Sequence, residues 1–184
     1  WTRFNGSLYN ENKYRGPPSP ELDAEWDRTP LILGSTASEI HQSQNDFSLE
    51  TMVQLDDENG GPGYMSSLEM FHHLHCLNVL RKWTHIEHYK AIDPYWAQPD
   101  SYHLREHTDH CIDMLRQVLM CQSDTGLVTF HWTNKTDTPS PYFSTAHKCR
   151  DPEQVLQWAH GIAKPIHRHI YKKGGERTLA DFPP

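Results

Sequence analysis

The sequence has no apolar run of 18 residues or more, so no segment reads as a membrane-crossing helix. It also lacks a basic face. Seventeen Lys and Arg stand against 24 Asp and Glu, for a formal charge of −7, which argues against a nucleic-acid partner. GxGxxG, a phosphate-cradling glycine loop and HExxH are all missing, and no Ser-His-Asp order stands out. Dinucleotide enzymes, P-loop enzymes and triad hydrolases are thereby disfavoured. So is a zinc hydrolase, because no general base accompanies the histidines. Apolar residues are scarce too, at 36%. Globular chains average roughly 45–50%, counting glycine. That leaves room for a disulfide, a metal or a partner to add stability. Six Trp and eight Tyr still argue for a folded chain, and 184 residues suffice for one domain with a core.

What is abundant is histidine, with 14 residues that do not form a run. Two stretches are patterned alike: His72-His73-Leu74-His75-Cys76 and His107-Thr108-Asp109-His110-Cys111. Both are HxxHC, and the match continues downstream. Leu77-Asn78-Val79-Leu80-Arg81 aligns with Ile112-Asp113-Met114-Leu115-Arg116 at a constant offset of 35. A whole helical segment is repeated, not one histidine pair.

Around the repeat the pattern is mainly α with minor β. Residues 1–60 read as an extended N-terminal arm with short strands near Leu31–Leu33 and Ser48–Gln54, and 61–184 as a helical body. Gly16-Pro17-Pro18-Ser19-Pro20 supports the arm, and Asn59-Gly60-Gly61-Pro62-Gly63 marks a turn. A capping-box pattern, Ser66-x-x-Glu69, opens a helix expected over Ser67–Lys90. Asp100 or Ser101 opens a second helix over Tyr102–Cys121, with Gly126 beyond its end. Phe130-His131-Trp132 reads as a strand and Thr138-Pro139-Ser140-Pro141 as a loop. Asp151-Pro152-Glu153 starts a third helix that stops near Gly161. A basic-polar tail with Gly174-Gly175 and Pro183-Pro184 follows.

Positions i, i+3, i+4 and i+7 share one face of a helix. His72, His75, Cys76 and Val79 therefore share a face in the first copy, and His107, His110, Cys111 and Met114 in the second. His73 falls off that face and is not expected to be a ligand. Leu77 with Leu80, and Ile112 with Leu115, form adjacent stripes suited to packing. If the helices pair about a pseudo-twofold axis, four imidazoles and two sulfurs converge. Such imidazoles repel when charged and leave lone pairs unsatisfied when neutral, and a metal resolves both. This donor set suits zinc, copper, iron or nickel rather than magnesium or calcium. A single copy would pass as surface decoration. Two copies in register through Leu-Arg are harder to explain without a shared centre.

Cys121 and Cys149 lie outside the repeat and are natural disulfide partners. Their loop of about 29 residues would be worth roughly 3–4 kcal/mol in the chain-entropy account. Cys76 and Cys111 are either thiolate ligands or a bridge between the helices. Asn5-Gly6-Ser7 and Asn134-Lys135-Thr136 fit the glycosylation sequon and point to the secretory route. His131, Trp132 and His147 are candidates to line a pocket, with core or surface packing as the alternative.

The paired motifs, the run Leu115-Arg116-Gln117-Val118-Leu119-Met120-Cys121-Gln122-Ser123-Asp124, the closing His147-Lys148-Cys149-Arg150 and Trp158-Ala159 resemble the UstYa-like family. These are fungal proteins of secondary-metabolite and ribosomal-peptide clusters. The resemblance covers roughly residues 60–160. It implies copper at His72, His75, Cys76, His107, His110 and Cys111, with the four histidines catalytic. It also implies O2-dependent chemistry at C–H bonds of a small-molecule or peptide precursor: cyclisation, dehydrogenation, hydroxylation or halogenation. It further implies one N-terminal membrane anchor before a lumenal domain, and action beside a paralogue. A chain opening on Trp1 is then expected to be the lumenal part. The competing expectation is a zinc-stabilised binding or scaffold protein.

Overall fold

The computed structural model describes residues 1–9, 12–29, 32–43, 48–56, 62–98, 101–163 and 178. Leu31, the Asn59-Gly60-Gly61 turn, Asp100 and the Gly174-Gly175 and Pro183-Pro184 segments fall outside them. The elements in chain order are β1 (Thr2–Arg3), α1 (Pro20–Trp26), β2 (Leu33–Ser35), α2 (Ala37–Gln42), β3 (Gln54–Leu55), β4 (Gly63–Ser66), α3 (Glu69–Trp83), α4 (Ile86–Ile92), α5 (Ser101–Gln122), β5 (Thr129–Thr133), β6 (Thr136–Tyr142), β7 (Ala146–His147) and α6 (Pro152–Ile162). Helices predominate, with small antiparallel sheets, as the sequence pattern implies. No helix among the described residues is long and apolar enough to cross a membrane.

The chain divides into two compact units, and the division falls inside α3, between His72 and His73. In the unit of residues 29–72 and 154–184, β2 and β3 flank β4 antiparallel, with Leu33 opposite Ser66 and Leu55 opposite Gly63. Leu33, Phe71, Leu156 and Ala159 form its core. Ser66 ends β4, where its hydroxyl lies 2.6 Å from that of Ser35. Thr36 and Glu39 form a reciprocal capping box for α2. Asp151 accepts from the Glu153 amide and Pro152 opens α6, as its Asp-Pro-Glu start implies.

The unit of residues 1–28 and 73–153 is built on the motif helices. Cys76, Val79, Tyr89, Trp96, Leu104 and Cys111 form its core, with Leu80, Trp83, Met114 and Leu115 packed against it. Leu77 and Ile112, expected on packing stripes, are instead 43% and 50% exposed. The two copies are nonetheless buried alike: both Cys inside, both Leu at +4 packed, both residues at +1 outside.

Four further expectations need correcting. The arm is not extended throughout, because Ser19 caps Leu22 and Pro20 opens the helix α1. The Ser48–Gln54 strand begins as a 3-10 turn over Leu49–Thr51, since Ser48 caps the Glu50 amide, and only Gln54–Leu55 pair. The Ser67–Lys90 helix is two helices. Thr84 bonds the Arg81 carbonyl through its hydroxyl at 2.7 Å and the chain turns before α4. The 138–141 stretch is not a loop but part of β6, in a two-stranded hairpin where its prolines sit on an edge strand.

Arg81 anchors α1 beneath α3. Its guanidinium donates to Asp23 at 2.5 Å, to the Tyr89 hydroxyl at 2.9 Å and, through Nε, to Asn78 at 2.9 Å. Asn78 in turn reaches Asp27. The repeat equivalents Asp113 and Arg116 form an exposed ion pair within α5, where Asp113 also accepts from Gln117 and Arg116 also reaches the Met120 sulfur. Residues matched in sequence thus serve a buried network in one copy and a solvated face in the other. At the far end, α5 stops at Ser123, which has a left-handed φ of 41°.

Candidate metal centre

Helices α3 and α5 present the two motifs to each other. Cys76 and Cys111 are both 0% exposed, close enough for a thiol hydrogen bond. Burial first, and the Cys76 sulfur second, push the Cys111 thiol up to about 12. Without a cation, Cys111 is a neutral thiol at physiological pH.

The imidazoles flank this sulfur pair. His72 sits one turn before Cys76 on the same continuous helix, and His72, Cys76 and His110 each offer a ligand atom within 4.8 Å of the others. His75 stacks on His107, with centroids 5.6 Å apart and planes at 28°. His107 lies 6.5 Å from His110. The pairing crosses: His72 groups with His110, and His75 with His107. Three of the six expected ligands thus form a compact set, while His75, His107 and Cys111 lie beside it. His73 is not in that set.

The structure adds residues that periodicity could not supply. The Tyr95 hydroxyl lies 2.7 Å from His107 Nδ1. Burial, then the nearby Cys111 and Asp93, raise the Tyr95 pKa and keep the phenol neutral. Glu69 Oε2 lies 3.8 Å from His72 Nδ1. No motif marks Tyr95, since it comes from the turn after α4. Glu69, three residues before His72, was legible only as a helix cap.

The other candidates lie elsewhere. His131 is exposed on β5, 2.8 Å from the Thr129 hydroxyl, and Trp132 is 78% exposed. His147 stacks on Phe4 at 3.8 Å and bonds Asp124 at 2.5 Å and the Thr145 hydroxyl at 2.7 Å. The Gly126 amide, then His147, hold the Asp124 carboxyl below the usual range. This cluster fastens the N-terminal strand to β7. Cys121 and Cys149 are exposed free thiols in the structure, as Asn5 and Asn134 are exposed side chains.

The site and fold define a class first: an α-rich protein with a histidine–thiol centre between two repeated HxxHC helices. The chain belongs to the UstYa family, since residues 1–161 match the family described as "Mycotoxin biosynthesis protein UstYa". It is 30% identical to the UstYa family oxidase aprY of Aspergillus flavus, covering 85% of this chain and 50% of that protein. It is 39% identical to the UstYa family oxidase VicYb of Bipolaris victoriae, over 52% of this chain and 79% of that protein. It is also 26% identical, over 88% of this chain and 56% of the relative, to a Talaromyces islandicus protein named transacylase cctO. The chain spans about half the length of several curated relatives it matches. No solved structure matches it.

Proposed function

We propose that this chain is the metal-bearing domain of a copper-dependent oxidase of fungal natural-product biosynthesis, acting at C–H bonds of a small-molecule or peptide precursor. The observation that carries this reading is the compact set His72, Cys76 and His110, with the His75–His107 pair beside it, around two buried thiols. Nitrogen and sulfur donors at this spacing fit copper, and also zinc. A cation would also offset the cost of packing imidazoles together and of ionising Cys111. When bound, copper supplies one-electron redox chemistry with O2 as the oxidant.

The chain's own residues do the rest. The histidines and Cys76 would hold the ion, with Cys111 as a further ligand or as a labile partner of Cys76. Trp96 and Leu104 keep water from the sulfurs. His110 and Tyr95, both open to solvent, mark the side from which a substrate would approach. Exposed sequons at Asn5 and Asn134, and a Cys121–Cys149 bridge formed in an oxidising lumen, fit a secretory location behind a membrane anchor. A paralogue is a candidate partner.

The second reading is a zinc-stabilised binding protein, favoured by the complete burial of both cysteines, as in a closed structural site. Metal analysis of protein purified without chelator, with electron paramagnetic resonance, separates the two. A copper signal lost in His75→Ala and His110→Ala, both still folded, supports the oxidase reading. Tightly held stoichiometric zinc without copper uptake refutes it.

A further inference from the structure

We propose that Tyr95 is a positioning residue for His107, holding its ring in the tautomer that carries the proton on Nδ1 and the lone pair on Nε2. This rests on the metal-centre reading of the HxxHC helices. The Tyr95 hydroxyl oxygen is 2.7 Å from His107 Nδ1. A neutral imidazole has one N–H and one lone pair. A ligating histidine must spend the lone pair on the metal, so its other nitrogen keeps the proton and needs an acceptor. Tyr95 Oη is placed to be that acceptor, which leaves the lone pair of His107 on Nε2.

Tyr95 is itself held for the task. Its backbone amide donates to Asp93 Oδ1 at 2.9 Å. Its ring stands at 90° to that of Trp96, with centroids 5.3 Å apart, and Trp96 is buried in the core. It meets the His107 ring edge-on, at 88°. Packing against the buried Trp96 therefore orients the half-exposed phenol. The repeat equivalent of His107 is His72, whose Nδ1 has a carboxylate oxygen of Glu69 at 3.8 Å. The two copies of the motif are thus backed by different chemistry, and changing Tyr95 touches one of them.

The test uses metal-free protein labelled with 15N at histidine, Tyr95→Phe beside the wild type, and copper(II) titration of both. In the wild type, long-range proton–nitrogen NMR should show His107 with its proton on Nδ1. In Tyr95→Phe the proton should move toward Nε2, His110 should be unchanged, and copper affinity should fall by about tenfold or more. Tyr95→Gln, which returns an acceptor, should recover part of that affinity. A wild-type His107 protonated at Nε2, or an unchanged tautomer in Tyr95→Phe with affinity within about twofold, overturns the assignment. If the wild type takes up no metal, the metal-centre reading fails on its own. The tautomer of the metal-free protein still decides the role of Tyr95.

Discussion

The Cys111 thiol should be nearly inert in the metal-free protein and should become acidic only when a cation is supplied. Its pKa is raised from 9.0 to about 12 by burial and by the Cys76 sulfur. Three pKa units mean about a thousandfold less thiolate at any pH below the lower value. Thiolate is the nucleophile that iodoacetamide alkylates, and the greater nucleophilicity of a high-pKa thiolate offsets part of its scarcity. Cys111 should therefore react at least about thirtyfold more slowly than an ordinary free thiol. Complete burial of both sulfurs slows it further. The assay is a time course of labelling at pH 8, read by intact and peptide mass spectrometry, with a small peptide thiol as reference. Metal uptake by thiols should release protons, and its apparent affinity should rise with pH. A Cys111 rate within about tenfold of the reference would refute the burial argument. A chain two hydrogens lighter with Cys76 and Cys111 joined would show a bridge rather than a silent thiol. The same samples, unreduced, report the proposed lumenal bridge, and rapid labelling of both Cys121 and Cys149 would sink it.

Asp23→Ala should destabilise the fold by about 2–4 kcal/mol, because it removes the carboxylate that accepts from the part-buried Arg81 guanidinium and from the Tyr89 hydroxyl. Denaturant unfolding reads this, and a loss under about 1 kcal/mol would mean that water replaces the carboxylate. Burial opposes ionisation of Asp23, but hydrogen bonds from Arg81 and Tyr89 outweigh it and lower its pKa. Its contribution is therefore present above the unfolded value near 4 and is lost as pH falls through the lower folded value. The wild-type advantage over Asp23→Ala should shrink below about pH 4. Gly6→Ala should release the N-terminal strand from β7, since its new Cβ would clash with the Phe143 Cβ and backbone. Limited proteolysis near residue 6 should accelerate while the helical core stays protected; an unchanged rate would show that the arm simply shifts.

Much of the site was legible in residue spacing. A 3.6-residue period puts His72, His75 and Cys76 on one helical face, and the constant offset copies that face onto His107, His110 and Cys111. Burial follows the copies, with both cysteines inside and both residues after them outside. The Asp151-Pro152 start was equally readable, because a cap is chemistry between near neighbours. The same kind of signal lay unused in Thr36 and Glu39, whose capping box makes α2 in a stretch read as strand and arm.

By itself, then, the chain determined which side chains share a face, where most helices begin, and that its two motifs are equivalent. Those are short-range properties, set by helical period and by hydrogen bonds over a few residues. Tertiary structure alone decided the crossed pairing of His72 with His110 and His75 with His107, because pairing depends on how two helices meet. It alone brought Tyr95 to His107 across a turn, and gave Arg81 a buried network that Arg116 lacks. Packing between distant segments breaks the equivalence that the repeat contains, since α1 covers one copy and solvent meets the other.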